Sequence, residues 1–303
     1  MVSTGAFCFA RVALVDFSCP RTCAFCPRAA TTRYVHTIAM ARVKYLHSTL
    51  RTPCGRWLGA ALLVFVLTGC VSTPQTADLA PKDRVLPFSA NAKDTGLPAG
   101  WRPWIITRAK AKTAYRLTQD ESTGSVVLQA TADRSASGLK HLLDVDPEAK
   151  PVLRWQWRAM NLIEGASPSD RDSDDSPVRL LLFFDGDTAT LPARELMLME
   201  TARILTGQPV PFATLMYVWD NRQPVDTVIH HAAFGQLKMV VASSGASRVA
   251  QWKQIERNYA EDYRRAFGKP PGRLVGVGVL TDSDNTESRA YAYYGDIELL
   301  PAR

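Results

Sequence analysis

Near its C-terminus the chain reads "TDSDNTES", which brings Asp282, Asp284, Asn285 and Glu287 close together, and an earlier stretch, "SDRDSDDSP", does the same for Asp170, Asp172, Asp174 and Asp175. Carboxylates at this density could hold a hard cation, calcium above all, or supply the acid and base of a glycosidase. The D-x-D-x-D opening at Asp170, Asp172 and Asp174 matches the start of an EF-hand loop. Its sixth position, however, is Asp175 where the sharp turn needs Gly, and its twelfth is Leu181 where a bidentate Glu belongs. Asp282 and Asp284 fit no better, with Thr286 and Glu287 in the fifth and sixth places. The expectation is a calcium site outside the EF-hand class, drawn from Asp170, Asp172, Asp174, Asp282 and Asp284, set against a solvated acidic turn.

Other catalytic arrangements find less support, and no residue is assigned a catalytic role. Glu195 and Glu200 are a tempting carboxylate pair, but five helical positions turn them roughly 140° apart. Glu200 and Arg203, at i and i+3, suit a surface ion pair instead. The histidines after Cys70 are His141, His230 and His231, and Ser244 in "SSGAS" lacks the G-x-S-x-G frame of a nucleophile elbow. Adjacent His230 and His231 on a strand would face opposite ways, which makes them poor joint ligands. Tryptophan is more suggestive. Trp101 and Trp104 in "GLPAGWRPW", with Tyr291 and Tyr293 of the closing strand, are candidates to stack on sugar faces, with core packing as the competing role.

These residues need a scaffold, and the chain divides sharply before one begins. Of 36 Lys/Arg, eight lie in residues 1–70 against one of 29 Asp/Glu, leaving 28 of each sign beyond Cys70. The net charge of +7 therefore describes the leader, and no nucleic-acid surface is implied. All six cysteines also lie in residues 1–70, and the lone C-x-x-C at Cys23 and Cys26 lacks the second pair a structural zinc needs. From Met40 a basic segment with Arg42, Lys44, Arg51 and Arg56 precedes the apolar run Leu58–Leu67. That run is too short for the ~20 residues of a membrane span and reads as an export signal.

The ending "LTGC" resembles the lipobox of bacterial lipoproteins, in which the Cys, here Cys70, is acylated, by palmitate among other chains, and becomes the first mature residue. The organisation expected is an upstream segment 1–39 from a start codon assigned too early, a signal peptide 40–69, a flexible tether 70–83 and one domain 84–303. Several acyl chains would hold such a protein on a membrane. Val71, in place of the Asp common at the inner membrane, resembles the outer-membrane class facing the periplasm.

Within 84–303, short apolar runs bounded by Gly, Pro, Asp or Ser dominate: "SVVLQAT", "KHLLDVD", "VLRWQWRAM", "VRLLLFF", "TLMYVWD", "LKMVVAS", "LVGVGVL" and "AYAYYGDIELL". Eight such runs predict an antiparallel, jelly-roll-like β-sandwich. Two accessory helices are expected. One, about 192–206, is apolar nearly all round and reads as largely covered. The other, about 252–267, carries Trp252, Ile255, Tyr259, Tyr263, Ala266 and Phe267 at helical spacing and stops at Gly268.

In order along the chain, "LRWQWR", "DRDSDDSPVRLLLFFDG", "RELMLMETARILTG", "TLMYVWD", "RNYAEDYRRAFG" and "TDSDNTESRAYAYYGDIEL" resemble the bacterial exported proteins grouped as domain of unknown function family 3047. That resemblance implies no activity. The functional expectation is a lipid-anchored envelope protein that binds a ligand, an envelope glycan or polysaccharide first. The alternatives are a glycoside hydrolase or polysaccharide lyase on the same scaffold, and a structural lipoprotein that binds a protein partner.

Overall fold

The computed structural model describes residues 80–231 and 234–302; the upstream segment, the export signal, Cys70 and the tether as far as residue 79 lie outside the described residues. The chain builds twelve strands: β1 (Trp101–Ile105), β2 (Ala114–Gln119), β3 (Val126–Asp133), β4 (Ala136–Val145), β5 (Val152–Ala159), β6 (Ser176–Phe184), β7 (Ala213–Asp220), β8 (Val228–His230), β9 (Leu237–Ser244), β10 (Lys253–Asn258), β11 (Leu274–Asp282) and β12 (Arg289–Leu300). They form a seven-stranded sheet, ordered β1-β4-β11-β6-β7-β9-β8, and a five-stranded sheet, ordered β10-β5-β12-β3-β2. Only the β7–β9 pair is parallel among the named pairs. The two sheets face each other as the jelly-roll-like sandwich that the strand pattern predicts.

Alternation along the strands explains the interior. Leu153, Trp155 and Trp157 of β5 and Tyr294 of β12 meet Leu180, Leu182 and Phe184 of β6 and Tyr217 and Trp219 of β7. The Trp155 and Tyr217 rings lie 4.9 Å apart. Trp101 belongs to this core, 3% exposed and packed on Phe88 at 4.9 Å, so it is no ligand platform. The larger sheet differs in one respect. Every residue of β6 and β7 is buried, on the outward face as well as the inward one. Leu181, Phe183, Met216, Val218, Met239, Val241 and Leu280 make a second apolar layer there. Unbroken apolar runs such as "VRLLLFF" are what a strand covered on both faces requires.

Helix α1 (Ala193–Thr206) occupies the expected span and ends on Gly207 in the left-handed region at φ 70°. It is not largely covered: Met197, Ile204 and Leu205 are 63, 66 and 58% exposed. The second helix, α2 (Tyr259–Phe267), is shorter than predicted, because residues 253–258 form β10 instead. β10 pairs antiparallel with β5, setting Ile255 opposite Trp155, while Lys253 lies over the Trp219 ring at 4.7 Å. An open sheet edge thus captured a segment whose helical spacing rested on Trp252 and Ile255 alone. The true start is an N-cap: Asn258 Oδ1 accepts from the Glu261 amide at 3.1 Å.

Candidate functional site

The outer face of the seven-stranded sheet is covered by α1, by the loops 106–110 and 208–211 and by His231, Phe234 and Gln236, which leave a cleft of about 420 Å³ between cover and sheet. Glycine shapes its floor. A side chain at Gly138 would clash first with the Val279 carbonyl oxygen and would meet the Trp104 ring at 3.1 Å, and one at Gly278 would meet Phe183 at 3.1 Å. Without those side chains Trp104 and Phe183 lie over β4 and β11, their rings 5.5 Å apart. Met216, Leu280 and Leu237 continue the floor. From above, α1 presents Glu195, Met199, Ala202 and Thr206, which recur along one side of a helix.

One end of the cleft is polar, and Arg179 organises it. This side chain, 2% exposed, stands on the outward face of β6 in line with Leu181 and Phe183. Its Nε donates to Asp282 Oδ1 at 2.9 Å, and its Nη2 donates to the Asp174 carboxylate at 2.8 Å and carbonyl at 2.9 Å. Nη1 points at the sulfurs of Met216 and Met239, 3.4 and 3.6 Å away. Burial works against the guanidinium charge, but Asp174 and Asp282 outweigh it and raise the pKa further.

Asp282 answers differently. Burial, opposed only in part by Arg179, pushes its carboxyl up to about 7, and Asp174 and Asp175 add to the rise. Both of its hydrogen bonds, from Arg179 and from the Ser176 amide at 3.0 Å, go to Oδ1. His231 completes the group. Its Nδ1 accepts from the Phe234 amide at 3.1 Å, which leaves the proton on Nε2, 3.8 Å from Asp174 Oδ2. Burial lowers the pKa of this imidazole, against the pull of Asp174. The cluster can therefore donate and accept hydrogen bonds, and it can exchange a proton near neutral pH.

The two acidic loops do fold together, around a carboxylate the calcium assignment left out. Asp175 accepts from the amides of Asn285 at 3.2 Å and Thr286 at 2.7 Å and from the Thr286 hydroxyl at 2.6 Å. Of the five residues predicted to bind calcium, Asp174 and Asp282 face Arg179, and Asp284 pairs with Lys110 at 2.5 Å. Asp170 caps the short turn that contains the exposed Asp172. Among the described residues no three His, Cys, Asp or Glu side chains are grouped as a metal would need. Positive charge reaches these loops from the protein's own Arg179 and Lys110.

The aromatic candidates also separate. Trp104 lines the cleft, whereas Tyr291 and Tyr293 stand on the outward face of the five-stranded sheet, where Tyr293 stacks on Arg158 at 4.4 Å. Glu200 is turned away from the cleft and forms the expected pair with Arg203 at 2.6 Å. His230 meets Lys238 at 2.6 Å, on the other side of the strand end from His231. Arg179 and His231 are the site residues that sequence reasoning missed. The signal for the first was present: an arginine inside "VRLLLFF" must either break the apolar face or be paired on it. A second groove, of about 470 Å³, runs between residues 133–134, 162–164 and 287–289. It is open, and one of its carboxylates, Asp133, is already paired with Arg289 at 2.9 Å, so the covered cleft is the better candidate.

Fold and cleft together define a two-sheet sandwich protein with a roofed, amphipathic pocket on its larger sheet. The family described as "Protein of unknown function (DUF3047)" matches residues 99–298, and the chain belongs to that family. No curated protein matches it. Among solved structures it is similar to the endoglucanase cel12A from Rhodothermus marinus, at 12% identity over 67% of this chain and 92% of that one, with a TM-score of 0.36. The carbohydrate recognition domain of Emp47p is 11% identical over 74% and 97%, with a TM-score of 0.35. An apo cyclase from Fischerella sp. is 12% identical over 74% and 90%, with a TM-score of 0.31.

Proposed function

We propose that this chain is a lipid-anchored protein of the bacterial cell envelope, attached through acyl chains on Cys70, that binds a ligand in the cleft beneath α1. The observation that supports binding is the cleft itself: an apolar floor closed at one end by Arg179, Asp282, Asp174 and His231 is the form of a small-molecule site. The ligand class is an envelope glycan that carries an apolar group. A sugar ring can stack on Trp104, as the aromatic signal suggested, while Met216, Leu237 and Leu280 accept an acyl or similar chain.

The experiment is a titration of the protein with a dodecyl glycoside, with the free sugar and with dodecanoate, followed by heat and tryptophan emission. The dodecyl glycoside should bind tightest, and Trp104→Ala should weaken it about tenfold, near the 1.4 kcal/mol that a stacked ring contributes. Equal silence toward all three ligands would remove the proposal. The anchor has its own test: Cys70→Ala should abolish labelled palmitate uptake and release the protein from membranes. The outer membrane, facing the periplasm, is the proposed location, and its support is the resemblance of Val71 to the residue after the Cys in that class of lipoprotein.

A second reading, a glycoside hydrolase or lyase, draws on one observation, the Asp282 carboxyl raised to about 7 in the cleft. Product formation that disappears in Asp282→Asn while ligand still binds would establish it.

A further inference from the structure

The outer side of α1 is unlike any other exposed surface of the described domain. Leu196, Met197, Ile204 and Leu205 are 39, 63, 66 and 58% exposed, on one helix of 14 residues. At 100° per residue, Met197 and Ile204 lie roughly opposite Met199 and Ala202, which line the cleft. The helix is thus apolar on two sides. One covers the cleft, and the other meets solvent as a contiguous patch of the kind that marks a contact surface.

The route of the chain says what meets that patch. The Asp144 amide donates to the Lys82 carbonyl at 2.8 Å, Arg273 pairs with Asp144 at 2.5 Å, and the Asp185 amide donates to the Arg273 carbonyl at 2.9 Å. Lys82, the end of β4 and the end of β6 therefore share one end of the larger sheet, and α1 begins at Ala193, with eight residues of chain between it and that end of β6. Lys82 is twelve residue steps from Cys70, which fully extended reach about 40 Å. A tether of that reach, joined at that end, allows α1 to meet the lipid surface that carries the anchor.

We infer that the outer face of α1 is a lipid contact, seated at the acyl boundary of the membrane that carries the Cys70 anchor, so that the cleft opens beside the bilayer; this rests on the proposed anchor. Glu200 and Arg203, paired with each other at 2.6 Å, let the face approach phospholipid without bringing an unpaired charge. An amphiphile could then pass between bilayer and cleft without crossing water, which links this surface to the ligand class above.

The test uses the compact unit Gly69–Arg303, taken from Cys70 onward, where Cys70 is the one cysteine. Its thiol is coupled to a maleimide-headed phospholipid in vesicles of phosphatidylethanolamine and phosphatidylglycerol, so that attachment does not depend on acylation in the cell. Bromine-labelled acyl chains should quench the indole added in Met197→Trp by roughly half and leave that added in Arg116→Trp, on the opposite sheet, unaffected. Ile204→Glu with Leu205→Glu should remove the quenching while the melting temperature holds. An added indole at 197 that bromine does not touch overturns the inference, as does a dimer that the two glutamates dissociate. Failure of palmitate uptake in cells would count against the anchor alone.

Discussion

The two outward faces of this sandwich both carry an arginine paired with an aspartate, and the pairs behave in opposite ways. On the five-stranded sheet, Arg158 lies between the rings of Trp252 and Tyr293, 4.8 and 4.4 Å from their centres, and pairs with Asp120. Burial raises the Asp120 carboxyl, but hydrogen bonds from Ser122 and Trp252 and the charge of Arg158 prevail and bring it down to about 2. On the seven-stranded sheet, Asp282 also has an arginine in hydrogen-bond contact, at 2.9 Å, and still rises to about 7. The difference is the surroundings. Asp120 sits in a net of donors on a polar face, where Arg154 also bridges Glu256 and Glu298 at 2.9 and 3.2 Å. Asp282 sits at the rim of an apolar layer with two donors on a single oxygen. A buried carboxylate met by many donors is held ionised as a structural pair, and one stranded under a roof with few donors marks the better candidate site.

The largest effect that could break this contrast comes from Arg179→Ala, which would leave Asp174 and Asp282 buried without their cation. It should cost about 3–5 kcal/mol in urea unfolding. Adding Asp174→Asn and Asp282→Asn to Arg179→Met should recover most of it, and no recovery would mean that the arginine acts through something other than charge. On the other sheet Arg158→Ala should cost about 2 kcal/mol, because Asp120 keeps its remaining donors.

Acid titration separates the faces by sign. Folded Asp282 binds a proton that the unfolded chain, near 3.9, releases, so its contribution falls as pH rises from about 4 to 7. Asp120 does the reverse: its contribution of roughly 2 kcal/mol is present above pH 4 and is lost as pH falls toward 2. Stability curves of Asp282→Asn and Asp120→Asn should flatten in those separate windows, and curves that flatten in the same window would erase the distinction. Arg154→Ala, on exposed ion pairs, should leave the melting temperature unchanged within error.

How much of this was legible in the sequence follows from what each signal depends on. The eight long apolar runs became strands because each was locally consistent. β1, β2, β8 and β10 escaped because "WRPWI" contains Pro103, "AYRLTQ" is polar, "VIH" is three residues long and "KQIERN" joins a real helix. Only a neighbouring strand turns such segments into sheet, and the sequence does not print neighbours. At the site, the acidic loops were visible as clusters, but their counter-charges, Arg179 and Lys110, lie elsewhere in the chain. A local reading therefore supplied calcium where the fold supplies arginine and lysine. Trp104 was legible as an aromatic in a loop-rich stretch; its separation from Tyr291 and Tyr293 by the thickness of the sandwich was not.

The glycines of the cleft floor have one more consequence. Because Trp104 and Phe183 settle onto bare backbone at Gly138 and Gly278, the headroom beneath α1 is set by atoms that are missing from the floor rather than by the roof. A single methyl group at position 278 would push the Phe183 ring up by a few tenths of an ångström and take that depth from the cleft, with the roof left where it is. The depth of the cleft can therefore be adjusted at position 278 by one carbon, whereas Gly138 is held by the Val279 carbonyl of the neighbouring strand and must stay glycine.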